Sequence, residues 1–202
     1  APCSKSDAPR LQTLTDHWDE IKTLKAVPTV KVDGTSTTLS MDERGQVHVY
    51  SRNWELDSMS SNMQLAKRFQ LDKMLWPGMA VQFELCGPGI QSNRLKLPAQ
   101  RPFVFAVWKD HHKIDRNQWP TGMPNLAVPE LDENEWALTG SVDDMIAKVD
   151  GLRGNVTKDR LDEGIVWHLR EDQQLSEGLA NELGANRCFK IINNKYLTKN
   201  GL

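Results

Sequence analysis

The stretch from Thr29 to Arg52 constrains the fold more than any other. TVKVDGTSTTLSMD is rich in Val and Thr and alternates apolar with polar residues, as a half-buried strand does. DERG, Asp42 to Gly45, reads as a turn, and QVHVYSR alternates again, so the pair predicts a hairpin. MAVQFELCG and RPFVFAVWK predict two further strands around the loop PGIQSNRLKLPAQ. EGIVWHLRE and RCFKIINNKYL predict a last pair, the second running into a short helix. Helical spacing interrupts these strands. Leu14, Trp18, Ile21 and Leu24 or Lys25 predict an amphipathic helix over 12–25, ended by Pro28. Met63, Leu65, Ala66, Phe69 and Met74 mark another helix, closed by WPG. Ser141 with Asp144 is a capping-box start for VDDMIAKVDGL. Residues 110–140, dotted with Pro and Trp, have no period and read as irregular. Hairpin-like strands with interspersed helices predict an α+β fold, not a chain of βαβ units. Neither GxGxxG nor GxxxxGK[ST] occurs.

The chain has 202 residues, 39% apolar and 26% charged, enough for one sizeable core. A net charge of -2 means that any nucleic-acid partner must be met by a local basic surface. No apolar run is long enough to span a membrane, and the N-terminus has no signal-peptide apolar stretch. Cys3, Cys86 and Cys188 are an odd number without metal-type spacing, which predicts reduced thiols in a cytoplasm-like compartment. APCSKSDAPR begins without Met, as a processed or excised chain would.

The strands also carry charges that a plain core strand would lack. These are Lys31 and Asp33 in KVDG, Arg52 in VYSRN, Glu84 in VQFELCG, Glu163 in DEGIVW and Lys190 in CFKIIN. Singly, each reads as a solvated face or an ion pair. Converging, they would neutralise one another or a bound phosphate and metal, because an isolated buried charge is costly.

Taken in order, KVDG, SRN, FELCGPGIQSNRL, FVFAVW, EGIV and FKIINNKYL resemble the motif series of covalent nucleotidyltransferases. The series is most similar to ATP-dependent RNA ligases of the phage and bacterial branch, with GPGIQSNRLKL and FKIINNKYL carrying that distinction. KxDG alone is a weak signal; six elements in register over about residues 28–197 are a strong one. The resemblance implies a single adenylation domain over 1–202, of antiparallel sheets flanked by helices with the ATP pocket between them. It also implies ATP with Mg²⁺ or Mn²⁺ as cofactors, and RNA ends bearing a 5′-phosphate and a 3′-hydroxyl as partners. Only a few residues follow Lys195, and about thirty precede Lys31, too few for an OB-fold barrel. A catalytic module cut from a longer ligase with a further nucleic-acid-binding domain is therefore expected.

The resemblance assigns roles residue by residue. Lys31 is the nucleophile toward the ATP α-phosphate. A free lysine titrates near about 10.4, and desolvation or a neighbouring cation is what frees the amine near neutral pH. Val30 and Gly34 line the nucleotide, glycine permitting close backbone approach. Arg52 binds phosphate through its planar fork. Glu84 accepts from the ribose hydroxyls, and Phe105 stacks on adenine, although alternation leaves Phe103 open for that place. Glu163 is the divalent-metal ligand. Lys190 contacts the α-phosphate. Arg94 and Lys96, on the loop after Glu84, contact RNA or triphosphate. Where many relatives carry Lys-x-Lys in the last motif, this chain has Lys190 and Ile192, so Lys195 is an optional substitute.

Two other readings stay open. One keeps the fold and changes the substrate, giving a DNA ligase or a GTP-using capping enzyme. The other, supported by Ile192, is a silent module that binds nucleotide or nucleic-acid ends without chemistry. The adjacent His111 and His112 read as a surface or loop pair, and the tryptophans, Trp76, Trp119 and Trp136 among them, as core or cap residues.

Overall fold

A computed structural model describes residues 3–5 and 7–202. A 3₁₀ segment, Leu11–His17, runs into α1 (Trp18–Ile21), followed by β1 (Ala26–Lys31), β2 (Thr35–Met41), β3 (Val47–Tyr50) and β4 (Glu55–Leu56). Then come α2 (Ser61–Arg68), β5 (Met79–Cys86), β6 (Arg101–Lys109) and β7 (His112–Ile114). The chain closes with α3 (Val142–Val149), β8 (Gly164–Leu169), α4 (Glu177–Leu183), β9 (Cys188–Ile192) and α5 (Asn194–Asn200). Among the described residues, no helix is long and apolar enough to cross a membrane. Cys3, Cys86 and Cys188 are all free thiols.

These elements form two compact units. The first holds Asp33–Val128 with the described N-terminal residues 3–5; the second holds Asp7–Val32 and Pro129–Leu202. The boundary falls inside KVDG, so the stretch that reads as one strand is two: β1 belongs to one sheet and β2 to the other.

The second unit is built on an antiparallel sheet of order β1-β8-β9. Strand alternation sorts its two faces. Ile165, Trp167 and Leu169 of β8 and Phe189 and Ile191 of β9 are buried against Leu11, Leu14, Trp18 and Ile21, with α3 and α4 adding Met145, Val149, Leu179 and Leu183. Trp167 stacks on Phe189 at 5.8 Å between ring centroids. The opposite face presents Thr29, Lys31, Val166, His168, Lys190 and Ile192, the residues of alternate register. Pro28 does not end a helix ahead of the strand; it lies within β1, paired with Trp167. β1 is an edge strand of this sheet, where a missing N–H is tolerated. The capping box of α3 forms as the sequence predicts, Ser141 and Asp144 each capping the other's backbone. Sequence periodicity gave no sign of α4, which Ser176 caps by accepting from the Leu179 N–H.

The first unit is a six-stranded antiparallel sheet of order β4-β3-β2-β5-β6-β7. Leu39, Val49, Val81, Phe83, Leu85, Val104 and Val107 pack against Met63, Leu65 and Ala66 of α2 and against Leu71, Leu75 and Met123. The turn Asp42–Gly45 joins β2 to β3, with Gly45 at φ 80. Between Phe83 and Gln82 the β5–β6 register slips: Phe83 pairs with Val104 and Gln82 with Ala106, leaving Phe105 as the extra residue of a β-bulge. Trp136 is buried in the other unit, as the sequence predicts, while Trp76 is 46% exposed and departs from that expectation. Residues 110–140 are irregular apart from β7 and two 3₁₀ turns, and His111 and His112 are exposed.

Candidate active site

β1 ends at Lys31. Its alternation buries the Val30 side chain and turns Lys31 to the open face, opposite Gly164 of β8. The Val30 N–H donates to the Pro129 carbonyl at 2.9 Å. Glu163 stands one residue before β8. Lys31 Nζ donates to both its carboxylate oxygens at 2.9 Å, with the two side chains 27% and 16% exposed. A half-buried ammonium with a two-oxygen acceptor is held in place far better than a surface pair, whose long side chains keep their freedom.

Lys190 shares this face. Register pairs it with Val166, which is paired in turn with Thr29, two residues before Lys31. Strand spacing puts the Cα atoms of the two lysines roughly 12 Å apart, within the combined reach of their side chains onto one phosphate. Lys190 Nζ lies 3.0 Å from Asp7 Oδ1, and the side chain is 14% exposed. Ile192 occupies the row of Lys31 and Gly164, only 7% exposed, so an apolar group stands where the resemblance expects a second cation. Lys195 is not on this strand but on α5, its Nζ 3.9 Å from Asp150 Oδ2 and its side chain 63% exposed.

The glycines after Asp33 and Glu163 have a steric cause. A Cβ on Gly164 would fall 2.2 Å from the Ile191 carbonyl oxygen. A Cβ on Gly34 would fall 2.2 Å from the Leu85 carbonyl oxygen. Each motif backbone lies against its neighbouring strand at a distance that a side chain forbids.

In the six-stranded unit, the Gly34 N–H donates to Glu84 Oε1 at 3.1 Å. Glu84 pairs with Ser36 on β2 and with Phe103 on β6. Its flanking residues Phe83 and Leu85 are buried on the other face, and Glu84 is half-buried. Phe103 is buried, with the Arg101 guanidinium 4.3 Å from its ring centroid; Phe105, at the bulge, is half-buried. Asp33 accepts from Arg94 Nη1 at 2.7 Å, so the loop arginine is engaged by a residue of KVDG itself. Arg52 is exposed in the tight turn after β3, closed by Ser51 N–H to the Trp54 carbonyl. Lys96 is exposed, with φ 53.

The structure thus brings Lys31, Glu163 and Lys190 to one face of one sheet. It brings Asp33, Gly34, Glu84 and Arg94 together in the other unit. Four residues beside these groups escaped sequence reading. Asp7 partners Lys190 from the N-terminal segment. Thr29 Oγ1 and His168 Nε2 lie 3.1 Å apart on the lysine face. Asn193, fully buried, bonds the backbone around Glu163. The signal for Asn193 was its place between FKII and KYL, where the predicted strand runs into a short helix.

Magnesium and manganese are held by one or two carboxylates together with water and substrate phosphates. Among the described residues no three His, Cys, Asp or Glu side chains gather into a protein cage. A single carboxylate such as Glu163 fits the first kind of site.

No match was found among curated protein sequences. The fold is similar to that of the RNA ligase of Naegleria gruberi solved with pyrophosphate, at 26% identity and TM-score 0.77, covering 98% of this chain and 58% of that one. A variant of the same ligase with ATP and Mn matches at 26% identity and TM-score 0.78, covering 98% and 57%. A variant with AMP and Mn matches at 27% identity and TM-score 0.75, covering 98% and 58%. The chain therefore spans somewhat over half the length of the ligases it resembles. The family model for RNA ligase matches residues 25–192, which run from the start of β1 to the end of β9 and include the motifs described above as far as the FKII of the last one. The chain belongs to the RNA ligase family.

Proposed function

We propose that this chain is an ATP-dependent RNA ligase that works through a lysyl-AMP intermediate at Lys31. The reading is carried by one observation: Lys31 Nζ is gripped by both oxygens of Glu163 on a sheet face that also carries Lys190. In the first step the deprotonated Lys31 amine forms a bond to the ATP α-phosphorus, the bond to the pyrophosphate oxygen breaks, and pyrophosphate leaves. A second transfer passes AMP from Lys31 to an RNA 5′-phosphate. A 3′-hydroxyl then attacks that phosphate and expels AMP, sealing the strand.

Each residue has a physical task in this scheme. Glu163 orients Lys31 and is the group that would hold a divalent cation, whose charge would offset that of the phosphates. Lys190 stabilises negative charge on the phosphorus as it becomes pentavalent. Glu84, fixed by the Gly34 N–H, accepts from the ribose hydroxyls, and Phe105 stacks on adenine. Val30 and Gly34 offer backbone to the nucleotide, and Arg52 takes a phosphate. Arg94, Lys96 and Lys195 are the contacts proposed for RNA or triphosphate, with Arg94 exchanging its Asp33 partner for that role. The neighbours solved with ATP, AMP and Mn support ATP and a divalent cation as the cofactors.

The test is the mass of the protein after exposure to ATP and Mg²⁺ or Mn²⁺. One AMP, mapped to the peptide containing Lys31 and absent from Lys31→Ala, is the expected result. Normal labelling of Lys31→Ala would remove the nucleophile. A second reading, a module that binds nucleotide without chemistry, draws on the apolar Ile192 in the row of Lys31. It predicts heat on ATP binding with no pyrophosphate released.

A further inference from the structure

Asn193 is fully buried, and its amide uses all of its hydrogen-bonding capacity. Nδ2 donates to the carbonyls of Leu152 at 3.0 Å and Asp162 at 2.9 Å. Oδ1 accepts from the Gly151 N–H at 2.9 Å and the Lys195 N–H at 3.2 Å. The donor and acceptor pattern fixes the amide orientation, since two N–H groups face one end and two carbonyls the other. The Asn193 backbone N–H completes the set, donating to the Glu163 carbonyl at 2.8 Å.

These bonds converge on a weak point of the sheet. Glu163 precedes β8, so it lies outside the ladder that pairs Gly164 with Lys31 and Ile192. Its neighbour Asp162 is fully buried, and the Asp162 carboxylate accepts from the N–H and the Nδ2 of Asn155, tying down the loop that leads into the motif. Asn193 clasps the carbonyls of Asp162, through its side chain, and Glu163, through its backbone, and joins them to the loop after α3 and to the start of α5.

We infer that Asn193 is the positioning residue of the active site: it fixes the Glu163 backbone, and through it the two-oxygen grip on Lys31. The inference rests on the adenylylation chemistry proposed above. The side-chain amide holds the Asp162 carbonyl and the backbone N–H holds the Glu163 carbonyl, so the two grips fix consecutive peptide units of the motif from one residue. Displacement of the Glu163 backbone by a few tenths of an ångström changes the direction of the Lys31 amine, and in-line attack is sensitive to that direction.

The experiment is a double-mutant cycle on single-turnover formation of lysyl-AMP at saturating ATP, using Asn193→Ser, Glu163→Gln and the double variant. Serine keeps an acceptor for the α5 cap and lacks the two donors. Asn193→Ser is expected to react about 10- to 100-fold more slowly, as when a residue behind a liganding side chain is lost. The double variant is expected to be no slower than Glu163→Gln alone. Losses that multiply, or a folded Asn193→Ser chain with wild-type speed, overturn the inference. Should Asn193→Ser fail to fold, hydrogen exchange in the wild type decides: the Asn193 and Gly151 amides should be among the slowest of the chain, and unprotected rates overturn the clasp. Failure of the ligase reading is distinguishable. A wild type that takes up no AMP, with those amides still protected, removes the chemistry and leaves the clasp on Glu163 standing.

Discussion

Asp7 Oδ1 stands 3.0 Å from Lys190 Nζ, and the segment that delivers it is tied to the same residue by the Lys190 N–H donating to the Pro9 carbonyl. The carboxylate occupies the cation that the proposed mechanism assigns to the α-phosphate. Asp7 is 60% exposed, so the pair is worth less than about 1 kcal/mol and yields readily to a phosphate. Asp7→Asn should lower the ATP concentration for half-maximal lysyl-AMP formation by about two- to fivefold. An unchanged or higher half-saturation means the two anions do not compete.

Phe103 and Phe105 differ in what they can offer a base. Phe103 is buried and covered by Arg101, whereas Phe105 is displaced by the bulge and half-buried. Phe105→Ala should raise the ATP half-saturation by about 5- to 100-fold, matching base stacking of about 1–3 kcal/mol, with little loss of stability. Phe103→Ala should instead destabilise the fold by about 3–5 kcal/mol in urea denaturation. Reversed outcomes would exchange the roles of the two rings.

Gly34→Ala should be costly at a position that looks like a permissive turn. The added methyl would meet the Leu85 carbonyl oxygen at 2.2 Å and Cys86 Sγ at 2.6 Å. Forcing such contacts apart costs about 1–3 kcal/mol and draws the Gly34 N–H off Glu84. The urea midpoint should fall accordingly, with weakened ATP binding. A variant as stable as wild type would show that the strand gives way freely.

His48 bridges two carboxylates, with Nδ1 2.8 Å from Glu55 and Nε2 3.2 Å from Asp42. The hydrogen bond to Glu55, then that to Asp42, raises the imidazole pKa against a smaller opposing effect of burial. The folded-state value thus lies above the unfolded value of about 6.5. The clamp's stabilisation is complete below that unfolded value and is lost as pH rises through the folded one. Melting temperature should therefore decline across neutral pH in the wild type, and His48→Gln should flatten that part of the profile. A parallel decline in both proteins would assign it to other groups.

Much of the molecule was legible in order along the chain. Alternation marked β5, β6, β8 and β9, the DERG turn joined β2 to β3, and Ser141 with Asp144 started α3, because side-chain direction, turn geometry and capping are local matters. The motif charges could be named for the same reason, each being a departure from its own strand's pattern. What the order could not show was partnership. KVDGTSTTLS reads as one strand, yet hydrogen bonding sends β1 to β8 and β2 to β5, and the chain crosses between units at Val32 and Asp33. The bulge that sets Phe105 apart exists only in the pairing of β5 with β6. Lys31 meets Glu163, and Asn193 meets Glu163, across separations of 132 and 30 residues that no local period encodes. Sequence determined which groups the chain carries and which way each strand turns them. Tertiary structure alone decided which of them meet, because a ladder's partner and register are set by the burial of whole sheet faces, and that is a property of the assembled core.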